Sequence, residues 1–394
     1  MKTTRRQLLK TSLLSMGGLT LLPHLSFSES WRAPVPVDDE GRALYSPFFK
    51  EHIPAEIPEV AKLTAKLNAN ENPYGPSPLA VQAHKLGSEK GNRYAWKELF
   101  QLMNNIAEKE GVTAENVLMG PGSSDLLEKV GMVFFMEGGN IVSADPSYMS
   151  MINVAKATGA SWKGIPLKAD WSHDLDAMEA AVDADTKLVY VCNPNNPTGS
   201  LTSSTKLMEF CKKVSKKAPV FIDEAYIEFL PEEDQESMVS LVAEGYDVII
   251  ARTFSKIHGM AGLRVGYAVG QKETLDRIQK ITRGGMGISY PSVMAAIASM
   301  KDIEFQKKSR KLNTESREYV VRELQKRGFD LVPSYTSFVL FPISMEGKTF
   351  LEKMMAQGVG VRSFNIFDKT WCRVSMGTME EMKIFVKALD STLS

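Results

Sequence analysis

Five short polar clusters each stand directly after an apolar run. They are GPGSSD (Gly120 to Asp125), DPSY (Asp145 to Tyr148), NPNNPTG (Asn193 to Gly199), DEAY (Asp223 to Tyr226) and TFSK (Thr253 to Lys256). Their residue types could do chemistry. Ser123 and Ser124 lie where a glycine turn would meet a helix start, a natural anion site built from backbone N–H groups. Asp223 closes an apolar run, so its carboxylate would be partly buried and in want of a cationic partner. Thr253 and Ser255 offer hydroxyls, and Arg264 offers a two-pronged guanidinium suited to an oxyanion. NPNNPTG holds three amide side chains in a turn stiffened by two prolines. A lone lysine after a strand is ordinarily a surface charge, and Asn-Pro is common loop punctuation. The ordered set carries more weight than any member.

These clusters need elements to hold them. Apolar runs at Asn116–Met119, Asn140–Ala144, Lys187–Cys192, Ala218–Ile222, Val248–Arg252 and Val265–Val269 read as strands covered on both faces. Helical patterns such as Ser124–Phe135, Tyr148–Ala157 and Thr205–Lys216 lie between them. The alternation predicts an α/β domain with a mainly parallel sheet flanked by helices. In such sheets ligands bind beyond the carboxyl ends of the strands, so the five clusters would meet on one rim. From about Met294 the texture changes. A long charged amphipathic segment, Asp302 to Arg327, leads into strand Phe338–Phe341, helix Thr349–Gln357, strands Val359–Arg362 and Arg373–Met376, and helix Glu380–Leu389. This predicts a smaller α+β domain. The division is 81–293 for the large domain and 294–394 for the small one, after an N-terminal arm at 29–80.

The first 28 residues read differently. Arg5 and Arg6 precede a mostly apolar stretch, Thr11 to Leu22, and then small residues Ser26 and Ser28. That order fits a twin-arginine export signal, and with it a periplasmic location and recognition by the twin-arginine machinery. Lys+Arg and Asp+Glu are equal at 47 each, so no global field favours nucleic acid. The three cysteines, Cys192, Cys211 and Cys372, form no metal or disulfide framework, and no metal site is expected.

The motifs together resemble the pyridoxal-phosphate aminotransferases of the aspartate aminotransferase superfamily, and within it the histidinol-phosphate aminotransferase family. The likeness is carried by NANENPYGPSP (Asn68 to Pro78), NPNNPTG, DEAYIEF (Asp223 to Phe229), RTFSKIHGMAGLRVGY (Arg252 to Tyr267) and RVSMGT (Arg373 to Thr378), and runs from about Leu63 to the C-terminus. It implies an enzyme that uses pyridoxal 5'-phosphate to move nitrogen between an amino donor and an oxo-acid acceptor. It implies that Lys256 bonds the cofactor as a Schiff base and then moves the proton as general base and acid. Asp223 would pair with the pyridine nitrogen, Tyr226 and Asn196 would bond the ring oxygen, and Tyr148 would stack on the ring. Ser123, Ser124, Thr253, Ser255 and Arg264 would hold the phosphate. Tyr74 would reach it from the neighbour in a homodimer. Arg373, with Arg362 and Tyr94, would bind an anionic substrate. The family often has Ala-Asp where this chain has Ser123 and Ser124, and Arg-Tyr-Pro where it has Arg93, Tyr94 and Ala95. A decarboxylase or racemase on the same scaffold, or a silent exported amino-acid-binding protein, is the alternative reading.

Overall fold

A computed structural model describes residues 63–393 of the chain. The proposed export signal and the first part of the arm lie outside the described residues. The first described strand, β1 (Ala65–Lys66), is short. Seven strands then build the main sheet: β2 (Val117–Gly120), β3 (Asn140–Asp145), β4 (Ser161–Pro166), β5 (Thr186–Cys192), β6 (Val220–Asp223), β7 (Val248–Thr253) and β8 (Gly266–Gly270). Their order is β2-β8-β7-β6-β5-β3-β4. β3 pairs in parallel with both β4 and β5, and the pairs β5–β6 and β6–β7 are also parallel. β8 runs antiparallel to both β7 and β2. Two reversals leave β2 parallel to β7. The carboxyl ends of β2, β3, β5, β6 and β7 therefore share one edge, and all five polar clusters leave from it.

The sheet is buried on both faces because alternate residues enter different cores. In β5, Val189 and Val191 join one core with Leu207, Phe210 and Val293. Leu188, Tyr190 and Cys192 join the other with Leu127, Phe134 and Met151. A strand apolar at every position has no wet face, which is why these runs are legible as central strands. β4 was not anticipated. It is one of the two edge strands, with a half-wet burial pattern and a glycine and a proline in SWKGIP, so its apolar signal is weak.

The C-terminal part holds a three-stranded antiparallel sheet in the order β11-β12-β9, formed by β9 (Phe338–Ile343), β11 (Arg362–Ile366) and β12 (Lys369–Ser375). The helices Ile303–Lys326, Gly347–Ala356 and Met379–Leu393 bury Val320, Phe350 and Phe385 in a core with Val339 and Phe341 of that sheet. The single strand expected at Val359–Arg362 is in fact two. β10 (Val359–Gly360) pairs with β1, while β11 begins at Arg362 and pairs with β12. The chain changes partner at Val361, and one alternating run cannot announce that.

Candidate active site

Lys256 sits in the turn that follows β7. Its Nζ donates to the backbone carbonyl of Asn70 at 2.8 Å and lies 5.5 Å from the centre of the Tyr226 ring. Burial, helped by the nearby positive charge of Arg373, pushes the amine down to about 8. Thr253 Oγ1 accepts from the Ser255 N–H at 3.0 Å, and the Gly259 N–H closes on the Lys256 carbonyl at 3.0 Å. The segment NENPYG packs against this turn. Asn72 Nδ2 donates to the Ile257 carbonyl at 2.9 Å, and a Cβ on Gly259, whose φ is +69°, would lie 2.0 Å from Gly75 O. Only glycine admits that approach.

Asp223 ends β6 with its carboxylate buried. Oδ1 accepts from the Ala225 N–H at 3.1 Å and Oδ2 from the Tyr190 hydroxyl at 3.3 Å. Burial raises its pKa to about 6. A carboxylate so desolvated, without an ion pair among the described residues, is suited to a cationic ring nitrogen. Three residues on, the buried Tyr226 hydroxyl accepts from Asn70 Nδ2 at 2.8 Å, and its ring meets Phe338 edge-on at 5.3 Å. Asn70 in turn accepts from Ser375 Oγ at 2.7 Å. One asparagine thus ties Lys256, Tyr226 and β12 together.

Asn196 is buried in the NPNNPTG turn. That turn is joined to the DPSY loop by Asn195 Nδ2, which donates to the Pro146 carbonyl at 3.1 Å. Asp145-Pro146, Asn193-Pro194 and Asn196-Pro197 are cis peptides. Asn196 Oδ1 accepts from Arg373 Nη1 at 2.6 Å, which leaves the amide NH2 as its donor. The Arg373 guanidinium lies between two rings, 5.1 Å from each of Phe338 and Phe364. Arg362 faces Arg373 directly across the β11–β12 ladder.

At the other end, Ser123 and Ser124 are the first two residues of helix Ser123–Phe135. Ser124 Oγ and the Tyr148 hydroxyl are 3.4 Å apart. Arg264, with φ +52°, donates through Nη1 to the Ala261 carbonyl at 2.9 Å and to Ser255 Oγ at 3.4 Å. A Cβ on Gly122 would lie 2.1 Å from Arg264 Nη2, and one on Gly266 would lie 2.4 Å from the Ser123 nitrogen. The backbone therefore closes tightly around a helix N-terminus with an arginine over it, a donor set that fits a phosphate.

Tyr74, expected to serve the neighbour's site in a dimer, has a hydroxyl whose pKa burial raises. Tyr94 is 75% exposed and packs on Trp96 with ring centres 6.3 Å apart. Three contributors went unforeseen: Asn70, Tyr190 and Ser375. Asn70 and Ser375 lie inside the motifs NANENPYGPSP and RVSMGT, and Tyr190 is the one hydroxyl in the run LVYVC.

A family model described as aminotransferase class I and II matches residues 64–389. The histidinol-phosphate aminotransferase of Moorella thermoacetica is 35% identical over 331 residues, covering 84% of this chain and 85% of that protein. Histidinol-phosphate aminotransferase 2 of Nitrosospira multiformis is 34% identical over 325 residues, 82% of each chain. Among solved structures, histidinol-phosphate aminotransferase from Sinorhizobium meliloti in complex with pyridoxal-5'-phosphate superposes with a TM-score of 0.78 at 27% identity, covering 84% of this chain and 91% of that one.

Proposed function

Because the chain belongs to the class I and II aminotransferases and works with pyridoxal 5'-phosphate, we propose that its amino donor carries a phosphate or second carboxylate. The observation that supports this is the register of β11 and β12, in which Arg362 and Arg373 are direct cross-strand partners. Two guanidinium forks at facing positions on one side of a ladder are suited to a multiply charged anion. The relatives named histidinol-phosphate aminotransferase make histidinol phosphate the first donor to test.

When bound, pyridoxal 5'-phosphate supplies an aldehyde that takes up the amino group and a ring that draws electrons from the substrate α-carbon. The rest falls to side chains. Ser123, Ser124, Thr253, Ser255 and Arg264 hold the phosphate. Asp223 holds the ring nitrogen in its protonated form, Tyr226 and Asn196 bond the ring oxygen, and Tyr148 covers the ring. Lys256 would move the proton between the substrate α-carbon and the cofactor carbonyl carbon, as base and then as acid, and its lowered pKa supplies free amine near neutral pH. Arg373, steered by Asn196, receives the substrate's anionic end, with Arg362 beside it.

The test mixes cofactor-loaded protein with histidinol phosphate and follows the cofactor spectrum, adding an oxo-acid acceptor in a second step. Conversion to the amine form and recovery on adding acceptor supports transamination. A parallel incubation with glutamate, which unlike histidinol phosphate has a carboxyl group to lose, covers the alternatives: carbon dioxide release would mean decarboxylation, and a spectrum unchanged by either donor would leave a binding protein. Arg362→Gln is expected to raise KM for a phosphorylated donor about tenfold and spare a donor with a single carboxylate.

The reading extends to location and assembly. Arg5 and Arg6 ahead of the apolar Thr11 to Leu22 support export to the periplasm by the twin-arginine machinery, and the family resemblance supports a homodimer that brings Tyr74 to the neighbouring site. Replacing both arginines by lysine is expected to trap the protein in the cytoplasm, as read by cell fractionation.

A further inference from the structure

A buried charge cluster lies just behind the site. Arg252, in β7, donates through Nε to Glu224 Oε2 at 2.9 Å. Its Nη1 is 3.8 Å from Glu228 Oε1 and its Nη2 is 3.7 Å from Glu110 Oε2. All four side chains are at most 8% exposed. Lys109 lies 3.9 Å from Glu228, so two cations face three carboxylates. The Tyr267 hydroxyl donates to Glu110 at 2.7 Å, and Glu224 also accepts from the Met238 N–H at 2.9 Å and Ser237 Oγ at 2.7 Å.

A buried ionic cluster is weak evidence for stability, because well-packed apolar residues often do as well or better. Its placement is more telling. Glu224 directly follows Asp223, Glu224 and Glu228 stand two residues either side of Tyr226, and Arg252 lies four residues before Lys256, in the strand that leads to it. We propose that Arg252 is a positioning residue for the reaction, its guanidinium tying Glu224, next to Asp223, and Glu228, beyond Tyr226, to the strand that leads to Lys256. A guanidinium can meet carboxylates from several directions at once, and a lysine ammonium on one stem cannot hold the same geometry. Arg252 bonds Glu224, whose charge adds to the proton affinity of Asp223.

This inference rests on Lys256 being the cofactor-bonding lysine. The test compares holoenzyme carrying Arg252→Lys or Glu228→Gln with the wild type. Arg252→Lys keeps the charge and loses the fork. It is expected to bind cofactor with a displaced absorption maximum and to lose about tenfold in kcat with donor KM within about twofold. Amide hydrogen exchange over Asp223 to Phe229 should speed up about tenfold in the same variant. Glu228→Gln loosens the tie beyond Tyr226, keeps the Arg252–Glu224 bond, and should show the same changes at smaller size. If either folded variant keeps the wild-type absorption maximum, kcat and exchange over that segment, the proposal is overturned, whatever its melting temperature. If wild-type protein takes no borohydride-fixed pyridoxyl label at Lys256, the reading of the site fails instead, a separate outcome.

Discussion

Asn196 and Arg373 are 177 residues apart in the chain and meet at 2.6 Å, the guanidinium donating to the amide oxygen. This bond couples two jobs. It leaves the NH2 end of Asn196 for the ring-oxygen bond proposed for it, and it fixes the arginine proposed to receive the substrate. A hydrogen bond to a charged group contributes about 1.5–3 kcal/mol. Asn196→Ala is therefore expected to lower kcat/KM by roughly 10- to 100-fold. In a double-mutant cycle with Arg373→Gln the two losses should be far from additive. Additive losses in steady-state kinetics would show that the coupling has no functional weight.

The amine of Lys256 has a sign that can be checked. Its folded pKa, about 8, lies below the ordinary 10.5 because of burial first and Arg373 second. Between those two values the unfolded chain binds the proton and the folded chain does not, so this group's contribution to stability improves as pH rises through that window. Free amine is also what the aldehyde needs. Cofactor uptake by the cofactor-free protein should quicken with pH and level off just above 8. Arg373→Gln should move the plateau to higher pH. Uptake that still climbs at pH 10 would mean an ordinary exposed lysine.

Much of this arrangement was legible because the central strands are apolar at every position and each ends in polar residues. Parallel pairing then puts those ends on one edge, so GPGSSD, DPSY, NPNNPTG, DEAY and TFSK read as one rim from the sequence alone. What escaped has physical reasons. β4 is an edge strand with a wet side, so neither template suited it. Asn70 holds Lys256 through a backbone carbonyl, which leaves no trace in residue type. Tyr190 hides its hydroxyl inside an apolar run, where a tyrosine reads as packing. The facing of Arg362 and Arg373 depends on a two-residue hairpin turn at Phe367 and Asp368, both with positive φ, which the sequence does not mark with the usual Asn-Gly.

Gly122 gives a test of the phosphate cradle with an internal control. Its φ is +91°, and a Cβ there would lie 2.1 Å from Arg264 Nη2. Gly111, with φ +70°, has nothing within 4 Å of its Cβ position. Both alanine variants carry backbone strain of about 1–3 kcal/mol. Only Gly122→Ala also displaces the arginine. Melting temperatures should fall in both, while cofactor affinity should drop at least tenfold in Gly122→Ala alone. Equal cofactor affinities by titration would remove Arg264 from the cradle.

Asp223 links stability and catalysis in opposite directions. Its folded pKa, about 6, is raised above the ordinary 3.8 chiefly by burial. Below 3.8 both folded and unfolded chains hold the proton, and the group makes no difference. Between 3.8 and about 6 only the folded chain holds it, so cofactor-free protein loses stability as pH rises through that window. Above it, the ionised carboxylate remains buried at a penalty on the order of 2–3 kcal/mol. A protonated ring nitrogen against Asp223, as proposed above, would cancel the penalty. Asp223→Asn should therefore melt higher than wild type at pH 7.5 without cofactor, and the gap should close by pH 4. With cofactor, the same variant should lose at least about a hundredfold in kcat, since the ring nitrogen no longer keeps its proton. A wild-type protein that outlasts Asp223→Asn at pH 7.5 in its cofactor-free form would show that the carboxylate already has a cationic partner, and the assignment of the ring nitrogen to it would fall.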